Sequence, residues 1–117
     1  MSIIKIYSCN DSRGVRPMWT AEEMGLEYES VMMPFPPRFF HKEFMDVNIL
    51  GTIPYLIDGE VEMTESVAMC QYLVDLYGPT DLRVTSNEQD YHHFLNWLAH
   101  SDATLTFPQT VVLRYSL

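Results

Sequence analysis

The stretch Gly51-Thr52-Ile53-Pro54-Tyr55-Leu56-Ile57-Asp58-Gly59-Glu60-Val61-Glu62-Met63-Thr64-Glu65-Ser66 constrains the chain more than any other. Tyr55-Leu56-Ile57 is an apolar run, Asp58-Gly59 is a hairpin dipeptide, and Val61 and Met63 alternate with Glu60 and Glu62. That pattern predicts two short antiparallel strands joined by a tight turn. Thr64 is expected as the N-cap of a helix with Glu65 in its first turn, ending near Gly78-Pro79. A proline opening one strand and an acid-serine pair opening the helix are thereby brought near each other.

Upstream, the β-branched run Ile3–Tyr7 predicts a buried central strand. Ser8–Gly14 is rich in Asn, Asp, Ser and Gly and reads as a loop. A helix is expected from about Arg13 to Met24, with Val15, Met18, Trp19 and Met24 inward, Glu22 and Glu23 outward, and Gly25 at C′. Tyr28–Met33 predicts a second strand, parallel to the first because a helix intervenes. Pro34–Pro37 breaks regular structure. The next segment, Arg38–Asn48, suits an irregular helix around His41–Val47 with Phe39, Phe40, Phe44 and Met45 packed inward. The Glu65–Tyr77 helix is expected to turn Val67, Cys70, Leu73, Val74 and Tyr77 to one face. The order β-α-β-(α)-β-β-α is a complete small α/β unit with a mixed four-stranded sheet.

Residues 1–79 are therefore read as one domain, 80–85 as a linker, and 86–117 as the start of a helical domain that is otherwise absent. Ser86 and Gln89 have capping-box spacing, and Tyr91, Phe94, Leu95 and Leu98 form an amphipathic stripe. Pro108 is expected to kink or stop that helix, with Val111–Leu113 and Tyr115 able to continue it.

Composition narrows the function classes. Seven basic against sixteen acidic residues give a net charge of −9, which argues against nucleic-acid partners and against an anionic membrane surface. Two cysteines, Cys9 and Cys70, are too few for a disulfide framework and lack metal-ligand spacing, so no metal is expected. His92, His93 and His100 suit surface positions better than a metal site. Met1-Ser2-Ile3-Ile4-Lys5 lacks the apolar core of a secretion signal, and the expected location is the cytoplasm.

Ile53-Pro54 with its hairpin, Thr64-Glu65-Ser66, Asp11-Ser12-Arg13, Arg16-Pro17-Met18-Trp19 and Glu22-Glu23-Met24-Gly25-Leu26 together resemble glutathione S-transferases. The resemblance covers essentially the whole chain: a thioredoxin-like N-terminal domain, then the first helix of the family's all-helical domain. It implies a cis peptide before Pro54 that turns the Ile53 backbone outward to pair with the peptide part of glutathione. Glu65 would meet the γ-glutamyl amine and Ser66 its carboxylate, helped by the helix N-terminus. Read by themselves, these two residues also fit a merely well-capped helix. For the glycine carboxylate the candidates are His41, Lys42 and Arg38; Thr52 stands where many members carry a longer polar or basic side chain. The resemblance further implies an electrophilic co-substrate, a role in detoxification and a homodimer when full length.

The chemistry requires bound glutathione as thiolate. A free thiol titrates near ~8.5, and lowering that by two units takes about 2.7 kcal/mol. A hydroxyl donor beside a helix N-terminus can supply it. Three residues compete. Ser12 lies four positions before Arg16, the spacing of the activating serine in theta- and delta-like members. Cys9 lies seven before Arg16, as in omega-like and glutaredoxin-like members, and opens a C-x-x-S, although Asn10 follows where those members usually have proline. Tyr7 ends the first strand, where the alpha, mu and pi classes keep a tyrosine. Equally, Ser12 fits a plain N-cap, Cys9 a small buried apolar residue, and Tyr7 a core aromatic. Three functions follow: a glutathione transferase, with Ser12 preferred; a glutathione-dependent thiol-disulfide oxidoreductase using Cys9; or a non-catalytic glutathione-binding module.

Overall fold

The computed structural model describes residues 3–116. Met1 and Ser2, which begin the segment examined for a secretion signal, and Leu117 lie outside them. The chain divides into two compact units between Thr80 and Asp81.

The first unit runs β1 (Ile4–Ser8), α1 (Val15–Glu23), β2 (Tyr28–Met32), α2 (Pro37–Phe40), α3 (Phe44–Val47), β3 (Tyr55–Asp58), β4 (Val61–Met63) and α4 (Ser66–Leu76). Its sheet has the order β2-β1-β3-β4, with β1 parallel to β2 and the other pairs antiparallel. This is the thioredoxin-like, mixed four-stranded arrangement. Strand alternation sorts the core into two layers. Ile4 and Ile6 of β1 and Leu56 of β3 meet Ala21 of α1 and Met69 and Leu73 of α4 on one face. Tyr55 joins Cys9, Met33 and Phe44 of α3 on the other.

Helix α1 ends as its glycine predicts. Gly25 takes φ +67, its N–H bonds the Glu22 carbonyl, and the Leu26 N–H reaches back to Ala21. The buried residues of α1 are Pro17 and Ala21; Val15 and Trp19 are exposed, correcting the expected stripe. The physical reason is a later start, at Val15, with a short helix whose inner face is set by α4 rather than by its largest residues. Trp19 instead donates its indole N–H to Glu23 at 3.2 Å. On α4 the buried positions are Ser66, Met69, Leu73 and Val74, so Met69 takes the inward place expected for Val67 and Cys70.

Three further local expectations are corrected. The single irregular helix is two short ones broken at His41, and only Phe44 is buried, while Phe39, Phe40 and Met45 remain exposed. Each helix is about one turn long, so each buries a single side chain, Pro37 of α2 and Phe44 of α3. The hairpin loop is Gly59-Glu60, not Asp58-Gly59: Asp58 stays in the ladder opposite Val61, and Gly59 supplies φ +63. Thr64 does not cap α4, because Glu65 occupies the N-cap and accepts the Thr64 hydroxyl at 3.0 Å.

Asp58 is held in the strand by two phenols, accepting from Tyr72 at 2.7 Å and Tyr77 at 2.5 Å. Burial and the Asp58 bond push Tyr72 up to about 12, and the Asp58 bond and burial do the same to Tyr77. The folded chain therefore holds these protons more tightly than the unfolded chain, whose tyrosines titrate near ~10. Their contribution to stability is complete below pH ~10 and is lost as pH rises through about 12. Denaturant unfolding across that window should show falling stability, and the double substitution Tyr72→Phe/Tyr77→Phe should flatten the fall. An unchanged slope in the double variant would contradict this account; a smaller slope from Tyr55, also pushed up to about 12 by burial and Glu62, will remain.

In the second unit, α5 (Tyr91–His100) continues through a π-helical segment, Ser101–Thr106, into α6 (Phe107–Ser116). Pro108 lacks an N–H, and the helix meets it with a widened segment instead of ending. The Thr106 hydroxyl donates to the Ser101 carbonyl at 2.7 Å within that segment. The expected Ser86–Gln89 box is replaced by Thr85 and Glu88, one residue earlier: the Glu88 carboxylate accepts from the Thr85 N–H and hydroxyl, in a turn that precedes α5. Among the described residues no helix is long and apolar enough to cross a membrane.

Candidate functional site

Sheet register gathers the candidate residues. Tyr7 of β1 pairs with Tyr55 of β3, and Leu56 pairs with Met63 of β4. The loop leaving β1, the Gly51–Pro54 segment entering β3 and the Thr64–Ser66 segment entering α4 thus all lie at one end of the sheet.

The β1 loop is built around three oxygens. Ser12 donates its hydroxyl to the Cys9 carbonyl at 2.7 Å and accepts the Gly14 N–H at 3.3 Å. Ser8 is fully buried at the end of β1, with its hydroxyl 3.1 Å from that of Ser12 and 3.3 Å from the Cys9 carbonyl. A hydroxyl on the face that also carries Ile4 and Ile6 tolerates burial only because such partners exist. Gly14 makes the room: a Cβ there would lie 1.7 Å from Ser8 Oγ. Its φ of −59° is ordinary, so close approach, and not backbone conformation, demands glycine. Ser12 itself is half-buried, two residues ahead of α1's N-cap, Gly14.

Cys9 and Tyr7 turn elsewhere. The Cys9 thiol is 2% exposed and donates to the Pro34 carbonyl at 3.7 Å, and burial pushes its pKa up. Tyr7 packs its ring 5.3 Å from Phe44 and 6.2 Å from Tyr55, centroid to centroid.

The Ile53-Pro54 peptide is cis, Pro54 is buried and Ile53 half-buried. Asn48, unremarked in the sequence, sets up the segment before it. Its buried side-chain amide donates to the Thr52 carbonyl at 3.0 Å, while its Oδ1 accepts the Leu50 N–H at 3.1 Å. An Asn whose side-chain oxygen accepts the N–H two residues on forms an Asx-turn, and Asn48 just ahead of Gly51 is a turn signal that could have been read. Gly51, at φ +63, lies against Arg38: a Cβ there would meet Arg38 Cβ at 3.0 Å.

At the head of α4, Glu65 is exposed and Ser66 is 7% exposed. Arg16 of α1 donates to Ser66 Oγ at 3.0 Å, a link between the two helices that spacing alone did not predict. The Ser66 hydroxyl, accepting there, keeps its own proton to donate. His41 and Lys42 are exposed between α2 and α3, with His41 Nδ1 4.0 Å from a Glu43 carboxylate oxygen.

A family model described as glutathione S-transferase, N-terminal domain, matches residues 2–75. Glutathione S-transferase T1 of Arabidopsis thaliana is 31% identical over 106 residues, a match spanning 83% of this chain and 42% of that protein. Glutathione S-transferase 3 of Schizosaccharomyces pombe is 25% identical over 103 residues, spanning 88% of this chain and 43% of that protein. Among solved structures, glutathione transferase URE2P6 from Phanerochaete chrysosporium, in complex with oxidized glutathione, superposes with a TM-score of 0.73 at 32% identity. That match covers 87% of this chain and 49% of the other. The chain spans less than half the length of these relatives.

Proposed function

The chain belongs to the glutathione S-transferase family, carrying its N-terminal domain over residues 2–75, and on that premise we propose that it binds glutathione and activates the thiol through Ser12. In this reading the Ile53 backbone pairs with the peptide part of glutathione beside Pro54. Glu65 takes the γ-glutamyl amine. Ser66, steadied by Arg16, takes the γ-glutamyl carboxylate together with the first-turn N–H groups of α4. Arg38, against Gly51, and His41 and Lys42 beyond it are the side chains offered to the glycine carboxylate. The whole protein would conjugate the thiolate to an apolar electrophile, as a cytoplasmic homodimer.

The observation that carries this reading is the contrast between Ser12 and Cys9. Ser12 is half-buried at the edge where the three loops converge, close to the positive end of α1. Cys9 is sealed in the core, bonded to a carbonyl, with its thiolate disfavoured by burial.

Titrating the chain with glutathione across pH, following the ultraviolet absorbance of the thiolate, tests it. A hydrogen bond to a charged group is worth about 1.5–3 kcal/mol, so the bound thiol should titrate about one to two units below free glutathione. Ser12→Ala should return it most of the way, and Cys9→Ala should leave it where it was. The reverse pattern transfers the role to Cys9 and the function to thiol-disulfide exchange. Binding with an unshifted thiol in the unsubstituted chain would leave a non-catalytic glutathione-binding module.

A further inference from the structure

Ser8 has no part in the reading above, yet it is the most deeply placed polar side chain of the β1 loop. Its position on β1 follows Ile4 and Ile6 on the same face, where alternation calls for an apolar residue. Burying a hydroxyl there costs about 1–3 kcal/mol unless it is bonded. The space it occupies exists only because Gly14 has no side chain, since a Cβ would overlap both Ser8 Oγ and Ser8 Cβ, at 1.7 and 2.5 Å. Two residues thus depart from the simplest packing to keep one hydroxyl beside Ser12.

The geometry of the three oxygens suggests what it does. Ser12 spends its single proton on the Cys9 carbonyl at 2.7 Å. To stabilise a thiolate, that proton must swing away, and Cys9 is almost wholly buried, so withdrawal takes a donor from a carbonyl that bulk water barely reaches. Ser8 Oγ already donates to the same carbonyl at 3.3 Å, as its second donor, and lies 3.1 Å from Ser12 Oγ. We propose that Ser8 is a positioning residue for Ser12: its hydroxyl holds the Cys9 carbonyl when the Ser12 proton turns to the glutathione sulfur. No covalent bond is made or broken; the carbonyl gives up the Ser12 donor and keeps the Ser8 donor it already has. The inference rests on Ser12 being the thiol activator.

The test is the thiolate titration of glutathione on the full chain, comparing Ser8→Ala, Ser8→Thr and Ser12→Ala. Ser8→Ala keeps Ser12 but removes the carbonyl's second donor, so the thiolate fraction at neutral pH should fall by about three- to tenfold, roughly half to one unit of thiol pKa. Glutathione affinity measured with the S-methyl analogue, which has no thiol proton, should stay unchanged. A merely structural role for Ser8 would lower that affinity as well. Ser8→Thr, which keeps the hydroxyl but adds a methyl at a fully buried position, should hold more thiolate than Ser8→Ala at some cost in stability. In the Ser12→Ala background, removing Ser8 should change nothing further.

The outcomes separate the two readings. If Ser12→Ala shifts the thiol and Ser8→Ala does not, or if both glutathione and its methylated analogue weaken together, this inference fails alone. If Ser12→Ala leaves the thiol unmoved, or the unsubstituted chain holds no thiolate, the activating role of Ser12 fails and this inference fails with it.

Discussion

Gly14→Ala should destabilise the first unit by more than about 3 kcal/mol, at or beyond the upper end of ordinary overpacking. The new methyl would stand 1.7 Å from Ser8 Oγ and 2.5 Å from Ser8 Cβ, and neither atom belongs to a flexible tip. Ser8 is fixed in the middle strand of the sheet, between β2 and β3, and its carbonyl accepts the Met33 N–H at 2.9 Å. Relief therefore requires α1 to move away from the sheet or β1 to shift, and either disturbs the packing of Ile6 against Ala21 and Met69. Adding Ser8→Gly removes both clashing atoms. The double variant should be more stable than Gly14→Ala alone, even though glycine within a strand carries a cost of its own. Urea unfolding of the two single variants and the double one measures the coupling. Simple additivity of the two losses would mean that the close approach is not what requires glycine here.

Asn48→Leu should cost about 2–4 kcal/mol and weaken glutathione binding in proportion to how far the Gly51–Pro54 segment loosens. The side chain is 4% exposed and serves two backbone groups, the Leu50 N–H and the Thr52 carbonyl. Leucine removes both bonds from partly buried backbone groups, which recover only part of the loss from water. Asn48→Asp separates the halves: Oδ1 can still accept from Leu50, but nothing remains to donate to Thr52. Its affinity for glutathione should therefore fall close to that of the leucine variant, and its stability at neutral pH should fall further, because a buried carboxylate would face the Thr52 carbonyl. Equal stability and affinity in all three proteins would mean that the segment entering β3 is shaped by Pro54 and Gly51 without help from Asn48.

Much of this was legible in the residues. The strands, the α1 C-terminus at Gly25 and the hairpin before α4 depend on near neighbours in sequence, through alternation, turn conformation and glycine's access to positive φ. What failed were statements about which face is inward. Trp19 and Val15 looked like core because they are large, and Ala21 is buried in their place because α4 lies close against α1. Phe39 and Phe40 are exposed for a related reason: helices of one turn present too few side chains to the sheet.

The site divides along the same line. Ile53-Pro54, Glu65, Ser66 and the competition among Tyr7, Cys9 and Ser12 are legible in the sequence through its resemblance to glutathione S-transferases at those positions. Spacing cannot choose among the three, since it carries no information about burial. Tertiary structure alone turned the Cys9 thiol to the Pro34 carbonyl, packed Tyr7 against Phe44, and left Ser12 half-buried on a carbonyl shared with Ser8. It also joined Arg16 to Ser66 and placed Asn48 under the loop before Pro54. Each of these depends on which strands become neighbours, and pairing across the sheet brings together residues that no local pattern connects.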